Sequence, residues 1–112
     1  MTVREIRGHG VDACPDGFLA LYEHSDFNGW SDGRILLTDE SIPNLKDHNF
    51  NDVTSSVVQK MPGSWIILWT DTRYGGTSFP LQSDTREYPN MIDFSKIDVR
   101  QNDTISSVQF RG

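Results

Sequence analysis

The sequence has few of the residues on which several classes of protein depend. Cysteine occurs once, at Cys14, so the chain offers no intrachain disulfide and no zinc site built from cysteine pairs. Lysine and arginine number 10 against 16 aspartate and glutamate residues, which gives a formal net charge of -6. This balance argues against a nucleic-acid partner, because binding to phosphate needs a basic surface.

Long apolar runs and catalytic motifs are also missing. No apolar stretch approaches the roughly 20 residues of a membrane span, and residues 1–10 lack the apolar run of a secretory signal. The three histidines share no metal-ligand spacing, and the sequence contains no zinc-protease, nucleophile-elbow or phosphate-loop motif. Cys14 has no neighbouring base in the sequence that would activate a thiol. We therefore predict that the protein is not an enzyme.

The residues that are abundant favour strands. The chain of 112 residues contains 7 valines, 8 isoleucines and 8 threonines but only two alanines. This length is enough for one hydrophobic core and too short for two. We predict a single domain over residues 14–112, preceded by an N-terminal extension over residues 1–13, and a monomer.

The domain carries an internal duplication. An aromatic residue is followed by a second aromatic five positions later and by glycine two positions after that. This pattern occurs at Tyr22, Phe27 and Gly29 and again at Trp69, Tyr74 and Gly76. A second motif, Asn-Asp-x-x-Ser-Ser, follows each pattern at residues 51–56 and 102–107, and we call these two segments the serine loops. The first copy covers about residues 18–60, and the second covers about residues 65–110.

Each copy is predicted to contain four short strands. The better-defined strands are predicted at residues 18–22, 34–37, 56–59, 65–69, 77–81 and 107–110. The third strand of each copy is the least defined, and residues 83–98 have a mixed pattern that also fits a short helix. Strands punctuated by Pro, Gly, Asn and Asp predict an all-β fold, an antiparallel β-sandwich of two Greek-key motifs.

The two motifs differ in what they offer chemically. We expect the glycine of the aromatic pattern to adopt a positive φ in a folded hairpin, while the two aromatic rings pack along the sheet. The serine loops place side-chain oxygens close together, at Asp52 and Ser55 and at Asp103 and Ser106. Such hard oxygen donors suit calcium, and neither loop contains an imidazole or thiol for a transition metal. Alternatively, these residues are turn formers that bind their own backbone.

These motifs together resemble those of the βγ-crystallin superfamily. The aromatic-x4-aromatic-x-Gly pattern is similar to the superfamily's hairpin signature, and the serine loops are similar to the calcium motif of its microbial, calcium-binding single-domain members. The resemblance covers residues 18–110. It implies two Ca2+ ions per domain, each shared between the two loops at one end of the sandwich.

The resemblance also implies a role for individual positions. The implied calcium ligands are the carboxylates of Asp52 and Asp103, the hydroxyls of Ser55 and Ser106, and the carbonyls of Glu23, Val53, Thr70 and Thr104. Ser56 and Ser107 are implied to be structural instead, tying each loop to its hairpin. The aromatic residues and glycines of the hairpin pattern are also implied to be structural.

The implied function is calcium binding that stabilises the fold in a structural or stress-related role. Moderate affinity slightly favours a secreted or cell-surface location over the cytoplasm. The alternative is a secreted metalloprotease inhibitor or a toxin-like protein on the same fold. The stretch from Cys14 to Tyr22 resembles the opening of such inhibitors, although Ala20 stands where they have a second cysteine.

We expect Trp65 and Trp69 to share a face in the core, and Trp30 to be a candidate contact for an unknown protein or carbohydrate partner.

Overall fold

Eight strands form two antiparallel sheets in the computed structural model, which describes residues 2–30, 32–51, 53–88 and 105–111. The strands are β1 (Val3–Gly8), β2 (Leu19–Tyr22), β3 (Gly33–Thr38), β4 (Ser56–Gln59), β5 (Ile66–Asp71), β6 (Gly75–Pro80), β7 (Arg86–Tyr88) and β8 (Ser107–Phe110). The first sheet has the order β1-β3-β2-β4-β7, and the second has the order β6-β5-β8. The predicted all-β, antiparallel fold is confirmed.

The two copies exchange their third segments. β7 follows β6 in the second copy but pairs with β4 of the first copy. Conversely, Ile42 of the first copy pairs with Val108 of β8 through an isolated bridge. Each segment thus crosses to the other sheet, which makes each copy a Greek key. Within the stretch 83–98, for which a short helix is the alternative, Arg86–Tyr88 is a strand, and residues 89–98 lie outside the described part of the chain.

The main hydrophobic core lies between the two sheets. It is formed by buried side chains of both sheets and of the loop between β3 and β4, namely Leu19, Leu21, Leu36, Ile42, Leu45, Phe50, Val57, Ile66, Leu68, Phe79, Leu81, Ile105 and Val108. Strand β5 alternates, with Ile66 and Leu68 facing this core. Trp65 and Trp69 therefore share the opposite face, and Trp65 is 66% exposed. The expectation that these tryptophans lie in the core is wrong, because Ile66 and Leu68, which lie between them in the strand, occupy the inner face.

A second, smaller core covers the outer face of the first sheet. Its buried members are Cys14, Ala20, Tyr22, Phe27, Ile35, Leu37 and Val58, and residues of the N-terminal segment pack against them. Among these are Ile6, in β1, and Val11 and Ala13, in a short 3₁₀ turn. Within residues 2–13, β1 pairs with β3 over six residues, and the 3₁₀ turn packs against the first sheet. No helix among the described residues has the length and hydrophobicity needed to cross a membrane.

Candidate metal centre

The first serine loop is tied to the first hairpin, which consists of β2, β3 and the turn between them. Ser56 Oγ accepts a hydrogen bond from the Phe27 amide (3.1 Å) and donates one to the His24 carbonyl (2.7 Å). One residue earlier, the Ser55 amide donates to the Tyr22 carbonyl at 2.8 Å. These three hydrogen bonds hold the end of the loop against the turn of the hairpin.

The second serine loop makes the same contacts with the second hairpin, which consists of β5, β6 and their turn. Ser107 Oγ accepts a hydrogen bond from the Tyr74 amide (3.1 Å) and donates one to the Asp71 carbonyl (2.6 Å). The Ser106 amide donates to the Trp69 carbonyl at 2.9 Å. The two copies therefore share one arrangement of backbone and serine hydroxyl, in which each serine loop ends beside its own hairpin turn.

The residues after the two leading aromatics use their side chains to close the hairpins. Glu23 Oε1 accepts a hydrogen bond from the Arg34 amide (3.0 Å), and Thr70 Oγ1 accepts one from the Thr77 amide (2.9 Å). Calcium ligation at these two positions is predicted to use the backbone carbonyls. The Glu23 carboxylate and the Thr70 hydroxyl are both used in hydrogen bonds within the hairpins. This is compatible with ligation by the backbone carbonyls.

These contacts reveal an insertion in the first hairpin. Because Arg34 and Thr77 make matched hydrogen bonds, Gly33 and not Gly29 is the structural counterpart of Gly76. Residues 29–32 are therefore extra relative to the second hairpin. The sequence pattern does not identify this counterpart, because the pattern is already complete at Gly29. The Asp-Gly pair at 32–33 is nevertheless a usual signal for a turn.

The hairpin glycines are needed for different physical reasons. Gly76 has a φ of 79°, and a Cβ at this position would lie 2.9 Å from Asp71 Cγ. A Cβ at Gly33 would lie 2.9 Å from Cδ2 of His24, the matching residue of the first copy. Gly29, by contrast, has a φ of -64°, so the predicted positive φ is wrong there. The positive φ values of the first turn fall on Asp26, Phe27 and Asn28, and the first two match the positive φ values of Arg73 and Tyr74 in the second turn.

The first serine loop contains buried oxygens without partners among the described residues. Asn51 Oδ1 and Thr54 Oγ1 are both inaccessible to solvent and have no hydrogen-bond partner there. A buried oxygen left without a partner costs about 1–3 kcal/mol. Hard cations are bound by amide, carboxylate and hydroxyl oxygens, so the donor chemistry of this loop fits a hard cation.

The predicted ligands are described only in part. Ser55 and Ser106 are each 6% exposed at the two anchors, and Val53 is half-buried. Asp52, Asp103 and Thr104 lie outside the described residues. Within the described ranges, no group of three or more His, Cys, Asp or Glu side chains is placed to hold a metal ion.

The two serine loops are connected through the loop between β3 and β4. Its residues Leu45–His48 form a 3₁₀ turn whose first amides are capped by Asn44 Oδ1, which accepts from the Lys46 amide at 3.0 Å. The Leu45 amide donates to the Ser106 carbonyl at 2.9 Å. The segment that leads into the first serine loop therefore contacts the described end of the second serine loop.

The single thiol is poorly suited to chemistry. Cys14 is 1% exposed in the smaller core, and its Sγ lies 3.4 Å from the Phe18 carbonyl oxygen. Burial raises the pKa of the Cys14 thiol to about 11. Because the thiolate is the nucleophile and the metal ligand, this environment suppresses both uses at neutral pH.

Comparison with known proteins decides the family. The model of the beta/gamma crystallin family matches residues 18–110, which include both hairpins and both serine loops. The chain belongs to the beta/gamma crystallin family. Its two anchored copies are therefore the two Greek-key motifs of one crystallin-type domain.

Relatives of the domain occur in distant organisms. The beta/gamma-crystallin of Ciona intestinalis is 31% identical over 74 residues, covering 66% of this chain and 79% of that protein. The solved structure of a Ciona intestinalis beta gamma crystallin aligns over 85% of this chain and 100% of the other, with a TM-score of 0.67 and 29% identity. An archaeal betagamma-crystallin aligns over 85% of this chain and 98% of its own, with a TM-score of 0.63 and 25% identity.

One relative is much longer than the crystallin domain. The epidermal differentiation-specific protein of Cynops pyrrhogaster is 39% identical over 64 residues, or 57% of this chain. The matched segment spans only 17% of that protein's length. The similarity therefore concerns a crystallin domain. The alternative of a protease inhibitor or a toxin-like protein has no support from the relatives described here.

Proposed function

We propose that this beta/gamma crystallin domain binds two calcium ions through its serine loops and that calcium stabilises the fold. The observation that carries the proposal is the matched anchoring of the two oxygen-rich loops, Ser56 to the first hairpin and Ser107 to the second. An isolated Asn-Asp-Ser turn is explained by local hydrogen bonding. Two such loops held in the same way are better explained by a shared ligand.

The proposed ligands are oxygens of both loops and both hairpins. Carboxylates of Asp52 and Asp103, hydroxyls of Ser55 and Ser106, and carbonyls of Glu23, Val53, Thr70 and Thr104 make up the set. Asn51 Oδ1 and Thr54 Oγ1, which have no hydrogen-bond partner among the described residues, support the binding of a cation beside the first loop. Calcium accepts 6 to 8 such ligands in flexible geometry, with waters completing the shell.

The number of carboxylates sets the expected affinity. With about one carboxylate per site, the dissociation constants should fall between about 10⁻⁶ and 10⁻³ M. Calcium at a hundred times its dissociation constant would stabilise the folded state by about 2.7 kcal/mol. That is a large share of the stability of a small domain. Affinity in this range suits a calcium-rich exterior, so we also propose a secreted or cell-surface location.

Calorimetric titration and thermal unfolding together test the proposal. We expect two ions per chain and a melting temperature that falls when a chelator is added. Asp103→Ala should bind one ion fewer, because a carboxylate is lost from the second loop. Asp16→Ala is the matched control, since it removes an exposed carboxylate near Gly17 and Lys60, at the other end of β2. An absence of heat at millimolar calcium, or equal losses in both variants, would contradict the proposal.

A further inference from the structure

Strand β1 delivers a carboxylate to the first hairpin. Glu5 is paired across the sheet with Leu36, so Arg34 is its diagonal neighbour on the same face. Glu5 Oε1 accepts hydrogen bonds from Arg34 Nη2 (2.9 Å) and Nε (3.2 Å). This contact raises the pKa of the Arg34 guanidinium above its usual value. Strand β1, which lies outside the duplicated motifs, therefore holds the side chain of Arg34, which lies within the first motif.

The same guanidinium reaches the segment that precedes the first serine loop. Arg34 Nη2 donates to the Asn49 carbonyl, and the guanidinium carbon lies 5.0 Å from the ring centroid of Phe50. Asn49 ends the 3₁₀ turn with a φ of 55°, and Phe50 is fully buried with its amide bonded to the Leu45 carbonyl (2.9 Å). Asn51, the first residue of the serine loop, follows directly.

The second copy has a different residue at the matched position. Thr77, the counterpart of Arg34, is exposed and has a side chain too short to reach across to a neighbouring loop. The local charge of Arg34 is balanced, because Glu5 pairs with its guanidinium and Glu23 accepts from its amide. Arg34 therefore affects a cation beside the loop mainly by positioning the loop and not by its charge.

We propose that Glu5 and Arg34 are positioning residues for the first serine loop, so that calcium affinity depends on the N-terminal strand. This inference rests on the proposed function. A loop that is ordered before it binds does not pay the ordering cost at binding, which raises affinity. The planar fork of arginine is what allows one side chain to bind Glu5 and the Asn49 carbonyl together. The two serine loops are then ordered by different contacts, although their motifs are alike.

Arg34→Lys separates geometry from charge, because lysine keeps the charge but loses the fork. Calorimetric titration of this variant should show a calcium affinity about tenfold lower than that of the unmodified protein, because both ions take ligands from the first loop. Glu5→Gln should lower the affinity by a smaller factor. Arg7→Lys, an exposed change on the same strand, and Thr77→Ala, at the matched position, are the controls and should leave both affinities unchanged.

Amide exchange of Phe50 in chelator gives a readout that does not depend on calcium. The Phe50 amide should exchange faster in Arg34→Lys and Glu5→Gln than in either control. If the unmodified protein takes up no calcium, the proposed function fails, and with it the affinity claim, whatever the exchange rates. If the unmodified protein binds two ions but Arg34→Lys leaves both affinities and Phe50 exchange unchanged, the positioning role is overturned. A fall in affinity of the same size in Arg7→Lys or Thr77→Ala would also overturn it.

Discussion

The two halves of the molecule use the same backbone anchors but have different surroundings. The first sheet is covered on both faces, by the core between the sheets and by the N-terminal segment, and Tyr22 is fully buried there. Its hydroxyl donates to the Gly10 carbonyl at 2.7 Å. The matching residue of the second copy, Trp69, is half-buried and donates from Nε1 to Gln109 at 3.1 Å.

The difference shows which parts of a duplicated motif are interchangeable. The serine hydroxyl meets backbone atoms, so its contacts form wherever the hairpin folds in the same way. The leading aromatic meets side chains and neighbouring segments, so its burial depends on what covers the sheet. The N-terminal segment covers only the first sheet, and this explains why Tyr22 is enclosed while Trp69 faces partly outward.

The largest expected effect is in the core that both halves share. Leu21 and Leu68 precede the two leading aromatics, and both are fully buried between the sheets. Alanine at either position should lower the free energy of unfolding by about 2–5 kcal/mol, because each change leaves a cavity. Urea denaturation would measure both. A cost below about 1 kcal/mol at one position only would show that the halves do not share a single core.

The anchoring serines should give the next largest effect, and an equal one in the two halves. Ser56→Ala and Ser107→Ala each remove a hydroxyl that accepts one hydrogen bond and donates another. We expect a loss of about 1–3 kcal/mol for each, because a buried amide and carbonyl lose their partner. Ser78→Ala, on the exposed part of β6, is the control and should change stability by less than about 0.5 kcal/mol. Unequal losses for Ser56 and Ser107 would contradict the equivalence of the anchors.

The smallest effect should appear only at alkaline pH, through the buried Cys14 and Tyr22 of the first half. Burial raises the pKa of Cys14 from 9.0 to about 11 and also raises the pKa of Tyr22. A folded-state pKa above the unfolded value gives stability that is complete below the unfolded value and is lost as pH rises through the folded value. Stability should therefore fall between about pH 9 and pH 11.

Chemical denaturation across that range would measure the slope. Cys14→Ala should make the decline shallower, because the folded state then no longer retains the thiol proton. Trp69→Phe is the control in the second half, and its slope should match that of the unmodified protein, since tryptophan does not titrate. An unchanged slope in Cys14→Ala would show that the thiol does not contribute. The thiol should also resist alkylation in the folded protein at neutral pH.

Much of the strand pattern could be predicted from local chemistry. The predicted strands at 56–59 and 107–110 have the observed bounds, because each begins at the last serine of a serine loop. The third segments were harder to predict, since β7 and Ile42 are held by partners from the other copy. The N-terminal strand has charges among its apolar residues and no counterpart in the duplication. Its place in the sheet depends on the free edge of β3.

The candidate site was predictable as a set of residue types but not as an arrangement. The resemblance to crystallins identifies both serine loops, whereas no sequence pattern identifies Arg34, because its partners Glu5 and Asn49 are distant in sequence. The insertion at residues 29–32 is likewise hidden in the sequence, because the aromatic-glycine pattern is already complete at Gly29. Only the hydrogen bonds across the hairpin identify Gly33 as the counterpart of Gly76.

By itself the sequence determined that this chain is duplicated, rich in strands and supplied with two oxygen-rich loops, because periodicity and residue type are local properties. Tertiary structure alone decided which sheet each third segment joins, which face of β5 is buried, and how the N-terminal strand reaches the first loop through Arg34. Those features depend on contacts between residues far apart in the chain. Such contacts form only when burial of apolar surface and pairing of backbone groups are satisfied for the whole domain at once.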